Sequence, residues 1–138
     1  MAHAGIVLIN KRGEVLMQHR DNVSGIINPD YWAYIAGQRE EENENYEQTA
    51  RRELQEETGY IVDKLYPLLE EDYKRTDGIK TRRHIFWAVY DGTQKINCFE
   101  GQEMVFLKLE ELENKKILPD HKRICHLAVL EAKKKGLI

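Results

Sequence analysis

The sequence contains few cysteines and no arrangement of them that suggests a metal or redox site. Its only two, Cys98 and Cys125, lie outside any CxxC or Cys/His ligand pattern. Disulfides belong mainly to oxidising compartments. We therefore predict two buried or half-buried thiols in a reducing compartment, in preference to a disulfide.

Long apolar runs are also missing. The run over residues 4–9 is short and follows no basic segment, so it is unlike a signal peptide. No run approaches the length needed to cross a membrane. We expect a cytoplasmic protein with no membrane partner.

An excess of basic charge is the third absence. Charged residues make up 33% of the chain, and the formal net charge is -3. Proteins that coat nucleic acids usually carry a basic excess, so we expect no nucleic-acid partner. A small phosphorylated substrate is compatible with this balance because a bound metal can supply positive charge.

What is present fits one domain over residues 1–138. The apolar fraction is 41%, and a chain of this length can bury about two-thirds of its unfolded surface. We find no repeat, no low-complexity tract and no linker. The chain can therefore form a single hydrophobic core without disulfides or structural metal.

The hydrophobic pattern predicts strands, then a helix, then strands, then a second helix. The predicted extended segments cover residues 4–9, 14–20, 31–36, 60–73, 80–90 and 104–107. The predicted helices cover residues 46–58 and about 119–135. In the second helix, Ile124, Leu127, Ala128 and residues 130–132 form the expected buried stripe. This order predicts an α+β fold, with a mixed sheet covered by helices.

The first helix carries the clearest chemical signal. Glu53, Glu56 and Glu57 stand at i, i+3 and i+4, which places them on one helical face. Three adjacent carboxylates repel one another, and a hard divalent cation such as Mg²⁺ or Mn²⁺ turns that repulsion into binding. The alternative interpretation is a solvated acidic helix face.

The spacing of this segment resembles the signature of the Nudix family. That signature reads Gly-x5-Glu-x7-Arg-Glu-U-x-Glu-Glu-x-Gly-U, where U is a bulky aliphatic residue. Residues 38–60 align with it without a gap. The agreeing positions are Glu44, Arg52, Glu53, Leu54, Glu56, Glu57 and Gly59.

The resemblance extends beyond the signature. Residues 32–37 are similar to the strand and turn that precede it, and residues 100–102, Phe106 and residues 109–112 are similar to the late segment of MutT-type members. It implies a Nudix-like α/β/α sandwich with a mixed central sheet, the signature helix after the third strand, and a C-terminal helix.

Two positions depart from the signature. Tyr60 replaces the final aliphatic residue, and an aromatic ring can fill the same packing site. Gln38 replaces the first glycine. A residue with a Cβ enters glycine-type backbone angles at a cost of about 1 kcal/mol. We therefore expect a shifted turn and a retuned metal site near Gly37.

The resemblance also implies roles in the metal site. The implied metal ligands are the backbone carbonyl of Gly37 and the side chains of Glu53, Glu56, Glu57 and Glu100. The same four glutamates, with Arg52, form the implied catalytic set. Glu53 is either a ligand or the base for the attacking water. Glu100 is a further ligand, a general base, or an ordinary loop carboxylate.

Two charged residues in this set have supporting roles. Arg52 is expected to orient a signature glutamate by a charge-assisted hydrogen bond. Glu44 is expected to bind metal through water or to pair with an arginine at the helix start.

Three residues are candidates for substrate binding, and each has a plainer alternative. Arg20 lies where MutT-type proteins place a substrate-contacting residue, or is a surface cation. Trp32 stacks on a base or packs in the core. Asp120 reads a base edge or is an acid at the start of a helix. The basic residues Lys74, Arg75, Arg82 and Arg83 are interpreted as a solvated turn, with contact to a second phosphate as the alternative.

Taken together, the chain is predicted to hydrolyse a phosphoanhydride bond in a nucleoside triphosphate or related nucleoside diphosphate derivative. The cofactor is Mg²⁺, with Mn²⁺ as a substitute, and the products are a nucleoside monophosphate and pyrophosphate. Family members often dimerise, so a homodimer is an expectation. The alternatives are a nucleotide-sugar hydrolase, a nucleotide-binding module weakened in catalysis by Gln38, and a scaffold domain.

Overall fold

Seven strands form one mixed sheet in the computed structural model, which describes residues 2–40 and 43–138. The strands are β1 Ala2–Ile9, β2 Val15–His19, β3 Trp32–Ala33, β4 Ile35–Gln38, β5 Tyr66–Lys74, β6 Lys80–Val89 and β7 Glu103–Leu107. The helices are α1 Tyr46–Thr58 and α2 His121–Lys134, with a 3₁₀ helix over Leu109–Asn114. The element order matches the prediction.

The strand β1 lies at the centre of the sheet. It pairs in parallel with β6 along its whole length, while its first half pairs antiparallel with β4 and its last residue with β2. The strand β5 follows β6, and β7 pairs with β2. The sheet is therefore mixed, as predicted.

Each face of the sheet packs against one helix. Val7 and Ile9 of β1 share a core with Ala128 of α2, whereas Ile6 and Leu8 share a core with Leu54 of α1. Alternate residues of a strand point to opposite faces, so β1 supplies both cores. This arrangement is the predicted α/β/α sandwich.

The predicted strand over residues 31–36 divides into two. The strand β3 pairs with β2, and β4 pairs with β1. The chain changes partner at Tyr34, whose buried side chain is 2% exposed. As a result, α1 follows the fourth strand rather than the third.

The bounds of α1 agree with the prediction because both ends carry strong signals. The Asn45 side chain accepts from the backbone N–H of Gln48, and the Gln48 side chain accepts from the backbone N–H of Asn45, each at 2.8 Å. Gly59 ends the helix with a φ of 80°, a conformation that favours glycine.

The predicted stripe of α2 is only partly correct. Leu127 is 36% exposed and Leu130 is 48% exposed. The residues that are buried recur every three or four positions, as the helical repeat requires for one face. Its buried members are Ile124, Cys125, Ala128, Val129 and Ala132.

The structure also bears on three smaller expectations, which concern the cysteines, Tyr60 and membrane-spanning helices. Both cysteines are free, and Cys125 is buried, but Cys98 is exposed on the loop before β7. Tyr60 is buried, and its hydroxyl accepts from the Asp91 backbone N–H at 2.9 Å, so it fills the packing site. Among residues 2–40 and 43–138, no helix is both long and apolar enough to span a membrane.

Candidate active site

A close contact between β4 and α1 defines the centre of the site. The Glu53 carboxylate lies against the backbone of Gly37, and a Cβ built at Gly37 would be 2.1 Å from the Glu53 Cδ atom. Atoms cannot approach so closely, so position 37 requires glycine as long as the carboxylate stays there. The main chain of Gly37 is thereby held beside the first candidate ligand.

Glu57 is the most constrained carboxylate of the site. Its side chain is buried, and Oε1 accepts from Gln18 Nε2 at 2.9 Å. Oε2 is buried and accepts no hydrogen bond from the described residues, and the carboxyl group lies within hydrogen-bonding reach of the Glu53 carboxyl group. Burial, reinforced by the charges of Glu100 and Glu53, raises the pKa of Glu57 to about 9. Without a nearby cation, this carboxyl group holds its proton at neutral pH.

Glu100 reaches the same place from a distant loop. Its side chain is exposed, and its charge raises the pKa of both Glu57 and Glu53 after the larger effect of burial. The Glu100 backbone carbonyl accepts from Gln18 Nε2 at 3.1 Å. One glutamine of β2 thus joins the loop to the helix.

Arg52 links the remaining carboxylates. Its Nε donates to Glu44 Oε2 at 2.9 Å, and its Nη1 donates to Glu53 Oε1 at 3.0 Å and to Glu56 Oε2 at 3.2 Å. Arg52 lowers the pKa of Glu44 to about 2. The predicted pairings of Arg52 and Glu44 are present, and their part in catalysis stays a prediction.

The expected strain at Gln38 is absent. Gln38 is an extended residue of β4, opposite His3 of β1. In the described part of the chain, the non-glycine residues with positive φ are Asn28, Asp30 and Asp120. The Gln38 carbonyl accepts from Arg52 Nη2 at 3.1 Å. Glycine-type angles are not used here, so the expected backbone cost does not arise.

The residues fit a divalent cation, although they are not gathered as a finished ligand cluster. Within residues 2–40 and 43–138, no three Asp, Glu, His or Cys side chains converge closely enough to hold a metal ion as they stand. In the described part of the chain, the partly buried carboxylate of Glu53 pairs with Arg52, whereas Oε2 of Glu57 has no positively charged partner. A hard cation is the chemical group that satisfies both.

A cavity of about 580 Å³ adjoins this site. Gln18 and Gly37 line it, and the same two residues contact Glu57 and Glu53. The cavity is large enough for most of a nucleoside, since ligand pockets typically measure about 300–1,000 Å³. It extends away from the carboxylates towards the start of α2.

Two of the three predicted substrate residues line the cavity. The Arg20 guanidinium is anchored there by the carbonyls of Ile27, at 2.7 Å, and Asn28, at 3.2 Å. Asp120 lines the cavity and makes no side-chain cap to α2. Asp120 is thus an acid at the start of the helix, as its plainer alternative states, and its role as a base contact stays a prediction.

Trp32 lies elsewhere. It is 6% exposed, belongs to the core on the α2 side, and stacks on His19 with ring centroids 4.5 Å apart. It is not among the described residues that line the cavity. The core-packing alternative describes its position, and nothing in that position supports base stacking.

Arg83 is a cavity residue that the sequence reasoning placed in a solvated turn. It is 2% exposed, and its Nη2 donates to Glu71 Oε1 at 2.6 Å and to Asp120 Oδ2 at 3.1 Å. The alternation of side chains along β6 could have predicted this burial, because Arg83 shares a face with Ile85 and Trp87, both buried. Arg82, which points to the other face, is exposed.

Two further residues of the cavity wall contact each other. Tyr34 and His121 stack with ring centroids 3.8 Å apart, and the Tyr34 backbone N–H donates to His121 Nδ1 at 3.3 Å. Burial, with the charge of Arg83, lowers the pKa of His121 to about 3. The imidazole is therefore neutral at physiological pH. No sequence pattern signals this contact, since the two residues come from separate elements.

Comparison with known families and proteins agrees with this geometry. Residues 1–128 match the model of the NUDIX domain. An uncharacterised Nudix hydrolase of Pseudomonas aeruginosa is 32% identical over 115 residues, which are 83% of this chain and 67% of that protein. The GDP-mannose pyrophosphatase of Yersinia enterocolitica is 37% identical over 71 residues, which are 51% of this chain and 37% of that protein.

Solved structures share the fold at lower identity. The NUDIX domain of Shewanella oneidensis NrtR, complexed with ADP ribose, has a TM-score of 0.79 and 19% identity, covering 95% of this chain and 87% of that one. A MutT protein from Methanosarcina mazei has a TM-score of 0.77 and 19% identity, covering 96% and 95%. These likenesses show the fold alone.

Proposed function

Because the chain belongs to the Nudix hydrolase family, we propose that it hydrolyses a phosphoanhydride bond in a nucleoside triphosphate or a related nucleoside diphosphate derivative. The proposed cofactor is Mg²⁺, with Mn²⁺ as a substitute. A triphosphate would yield a nucleoside monophosphate and pyrophosphate.

The observation that carries the proposal is the buried, unpartnered Oε2 of Glu57. A protein whose acidic helix is merely solvated has no reason to bury a carboxylate without a donor, since such burial costs free energy. Here Glu53 and Glu100 add negative charge to the same place. The arrangement keeps Glu57 protonated at neutral pH unless a cation takes the place of the proton.

The chain supplies candidate ligands for that cation and an arginine that positions two of them. The side chains of Glu53, Glu56, Glu57 and Glu100, with the Gly37 carbonyl, are the groups that would hold it. When bound, Mg²⁺ neutralises phosphate oxygens and lowers the pKa of coordinated water. Arg52 keeps the carboxylates of Glu53 and Glu56 on one side of α1.

Glu53 is our choice as the base that accepts the proton of the attacking water. Its partial burial raises its pKa above that of an ordinary glutamate, which suits a general base near neutral pH. Glu100 is the second candidate because it comes from outside the helix. Replacing each by glutamine and comparing kcat separates them, since loss of the base lowers kcat more than it changes KM.

The cavity would hold the nucleoside beside the scissile phosphates. Gln18 and Gly37 belong both to its wall and to the surroundings of the carboxylates. A ligand that fills the cavity therefore ends at the metal site. Arg20 stands at the cavity as the candidate contact for a phosphate or a base.

A nucleotide-sugar hydrolase is the second candidate. The supporting observation is the 37% identity with the GDP-mannose pyrophosphatase over 71 residues. That stretch is only 37% of the relative's length. The products distinguish the two: a nucleotide sugar gives a nucleoside monophosphate and a sugar phosphate, without pyrophosphate.

The test is a product-resolved screen of nucleoside triphosphates and nucleotide sugars with Mg²⁺ or Mn²⁺. Glu57→Gln should lower kcat/KM at least about 100-fold, because a metal ligand supplies several kcal/mol of transition-state stabilisation. Glu47→Gln is the matched control, since Glu47 lies on the same helix and contacts Arg51 instead. No turnover with any substrate, despite metal binding, would overturn the proposal in favour of a binding module.

A further inference from the structure

The loop that carries Glu100 is docked between β2 and the end of α1. On the helix side, the backbone N–H of Phe99 donates to the Glu57 carbonyl at 2.9 Å. On the strand side, the backbone N–H of Gln102 donates to the His19 carbonyl at 2.7 Å. Glu100 lies between these two attachments, so the position of its carboxylate depends on how the strand and the helix hold the loop.

Gly101 brings this loop into direct contact with β2. Its φ is 90°, a conformation that favours glycine. A Cβ built at Gly101 would lie 2.7 Å from the His19 carbonyl oxygen and 2.9 Å from Gln18 Cγ. A residue with a side chain could not approach so closely. The loop therefore rests on the Gln18 side chain itself.

Gln18 joins the strand, the helix and the loop through one amide group. Its side chain is buried. Nε2 donates to Glu57 Oε1 at 2.9 Å and to the Glu100 carbonyl at 3.1 Å. A glutamine amide has two N–H donors, and these two bonds use both. One bond fixes the carboxylate of the helix, and the other fixes the backbone of the residue that supplies the carboxylate of the loop.

The amide of Gln18 holds these groups without adding charge. Arg52, by contrast, donates to Glu53 as a cation and offsets part of its negative charge. A lysine or arginine at position 18 would pair with Glu57 in the same way and would oppose a metal cation. An apolar residue there would remove both hydrogen bonds and leave their acceptors without these donors. A neutral donor is thus the residue type that fixes Glu57 and leaves the place of positive charge to the metal.

Resting on the proposed function, we infer that Gln18 is the positioning residue that brings the Glu57 carboxylate and the Glu100 loop to one cation. No three acids in the described part of the chain converge closely enough to hold a metal as they stand, so a cation has to draw its ligands together. Gln18 already holds the loop beside the helix, and less ordering remains when the cation binds. Without Gln18, cation binding has to order both groups, and the affinity falls.

The test measures Mn²⁺ affinity by calorimetry without substrate, and kcat and KM with nucleotides. Gln18→Met keeps the length of the side chain and removes both donors. Residues that position metal ligands typically contribute about 10- to 100-fold to metal affinity or activity. We expect Mn²⁺ affinity and kcat to fall by at least about 10-fold, with a smaller change in KM. In the Glu100→Gln background, the same substitution should lower Mn²⁺ affinity by less than about 3-fold, because the loop carboxylate is already missing.

Gln94→Met is the matched control. Gln94 lies on the same connection between β6 and β7 and exchanges two hydrogen bonds with the Ile61 backbone, at 2.8 and 2.9 Å. Its replacement should lower the free energy of unfolding without changing Mn²⁺ affinity. Gln18→Asn keeps the amide on a side chain one methylene shorter. It is the milder variant if Gln18→Met does not fold, and it should weaken Mn²⁺ binding in the same direction.

Unchanged Mn²⁺ affinity in a folded Gln18 variant, or an equal loss with and without the Glu100 carboxylate, would overturn the inference. If either result accompanies normal turnover, the proposed function stands without it. Mn²⁺ affinity that depends jointly on Gln18 and Glu100, with no turnover of any nucleotide, would support the inference and refute the hydrolase.

Discussion

The two ends of the site differ in how their charges are balanced. Beside α1, Arg52 pairs with Glu53 but not with Glu57 or Glu100 in the described structure, and an oxygen of Glu57 accepts no hydrogen bond there. At the start of α2, Arg83 has a carboxylate on each side. The first end is incomplete without a cation, whereas the charges of the second are already paired. Under the proposed function, the end with unbalanced charge is the reactive end, and the end with balanced charge is the one that would hold the rest of the ligand.

Among the substitutions that test the difference between the two ends, Gly37→Ala should lower kcat/KM the most. The added Cβ would meet the Glu53 carboxylate, whose Cδ is 2.1 Å from the Cβ position. That carboxylate is the end of a flexible side chain, so it can move without unfolding the protein. A displacement of about 1 Å at a catalytic group can cost about 100-fold in rate. We expect kcat/KM to fall by about 100-fold, with no change in which nucleotide the protein prefers.

The control for Gly37→Ala is the free energy of unfolding. It should change by about 1 kcal/mol or less, because extended backbone accepts alanine readily. Normal activity in this variant would show that the contact between Gly37 and Glu53 does not define the metal end.

A smaller effect is expected from Arg52→Lys. Lysine cannot reproduce the planar fork that contacts Glu44, Glu53 and Glu56 together. Residues that orient metal ligands typically contribute about 10- to 100-fold to metal affinity or activity. We expect weaker Mn²⁺ binding and lower kcat, measured by titration and steady-state kinetics.

Arg51→Lys is the comparison for this substitution. Arg51 neighbours Arg52 but donates to the carbonyls of Val62 and Asp63, away from the carboxylates. Its replacement should leave Mn²⁺ affinity unchanged. An equal loss of affinity in both variants would mean that Arg52 acts on the helix as a whole.

The last expected effect concerns stability rather than activity, and it is a pH dependence of unfolding without metal. The pKa of Glu57 is raised from 4.5 to about 9 in the folded state. Between these values the folded protein holds a proton that the unfolded chain has lost. The stabilisation is therefore complete below about pH 4.5 and declines as pH rises towards about 9, by at most about 1.4 kcal/mol per pH unit.

Urea unfolding with a chelator present, at pH 5.5 and pH 8, measures this dependence. The stability of Glu57→Gln should vary less with pH, because glutamine does not ionise. If the free energy of unfolding varies equally with pH in both proteins, another group is responsible, and the pKa of Glu57 is not the one that folding raises.

The sequence predicted the reactive end better than the end at the start of α2. The carboxylates of α1 lie on one helix, so their spacing alone placed Glu53, Glu56 and Glu57 together. Asn45 and Gly59 fixed the bounds of that helix. These are local signals, and they need no knowledge of how distant elements pack.

The end at the start of α2 depends on packing between distant elements. Arg83 comes from β6, Asp120 from the start of α2, and Tyr34 from the turn between two short strands. Residue type alone suggested a solvated arginine and left Trp32 between base stacking and core packing, and the structure buries both. Similarly, the bond from Gln18 to Glu57 joins residues 39 positions apart. The burial of Glu57 follows from that packing.

The central claim is that the buried acid Glu57 exchanges its proton for a cation. Calorimetric titration with Mg²⁺ or Mn²⁺ at pH 7.5, in two buffers of different ionisation enthalpy, measures the protons released on binding. The account predicts release of about one proton per bound cation, and little release in Glu57→Gln. Cation binding without proton release, or the same release in that variant, would contradict it.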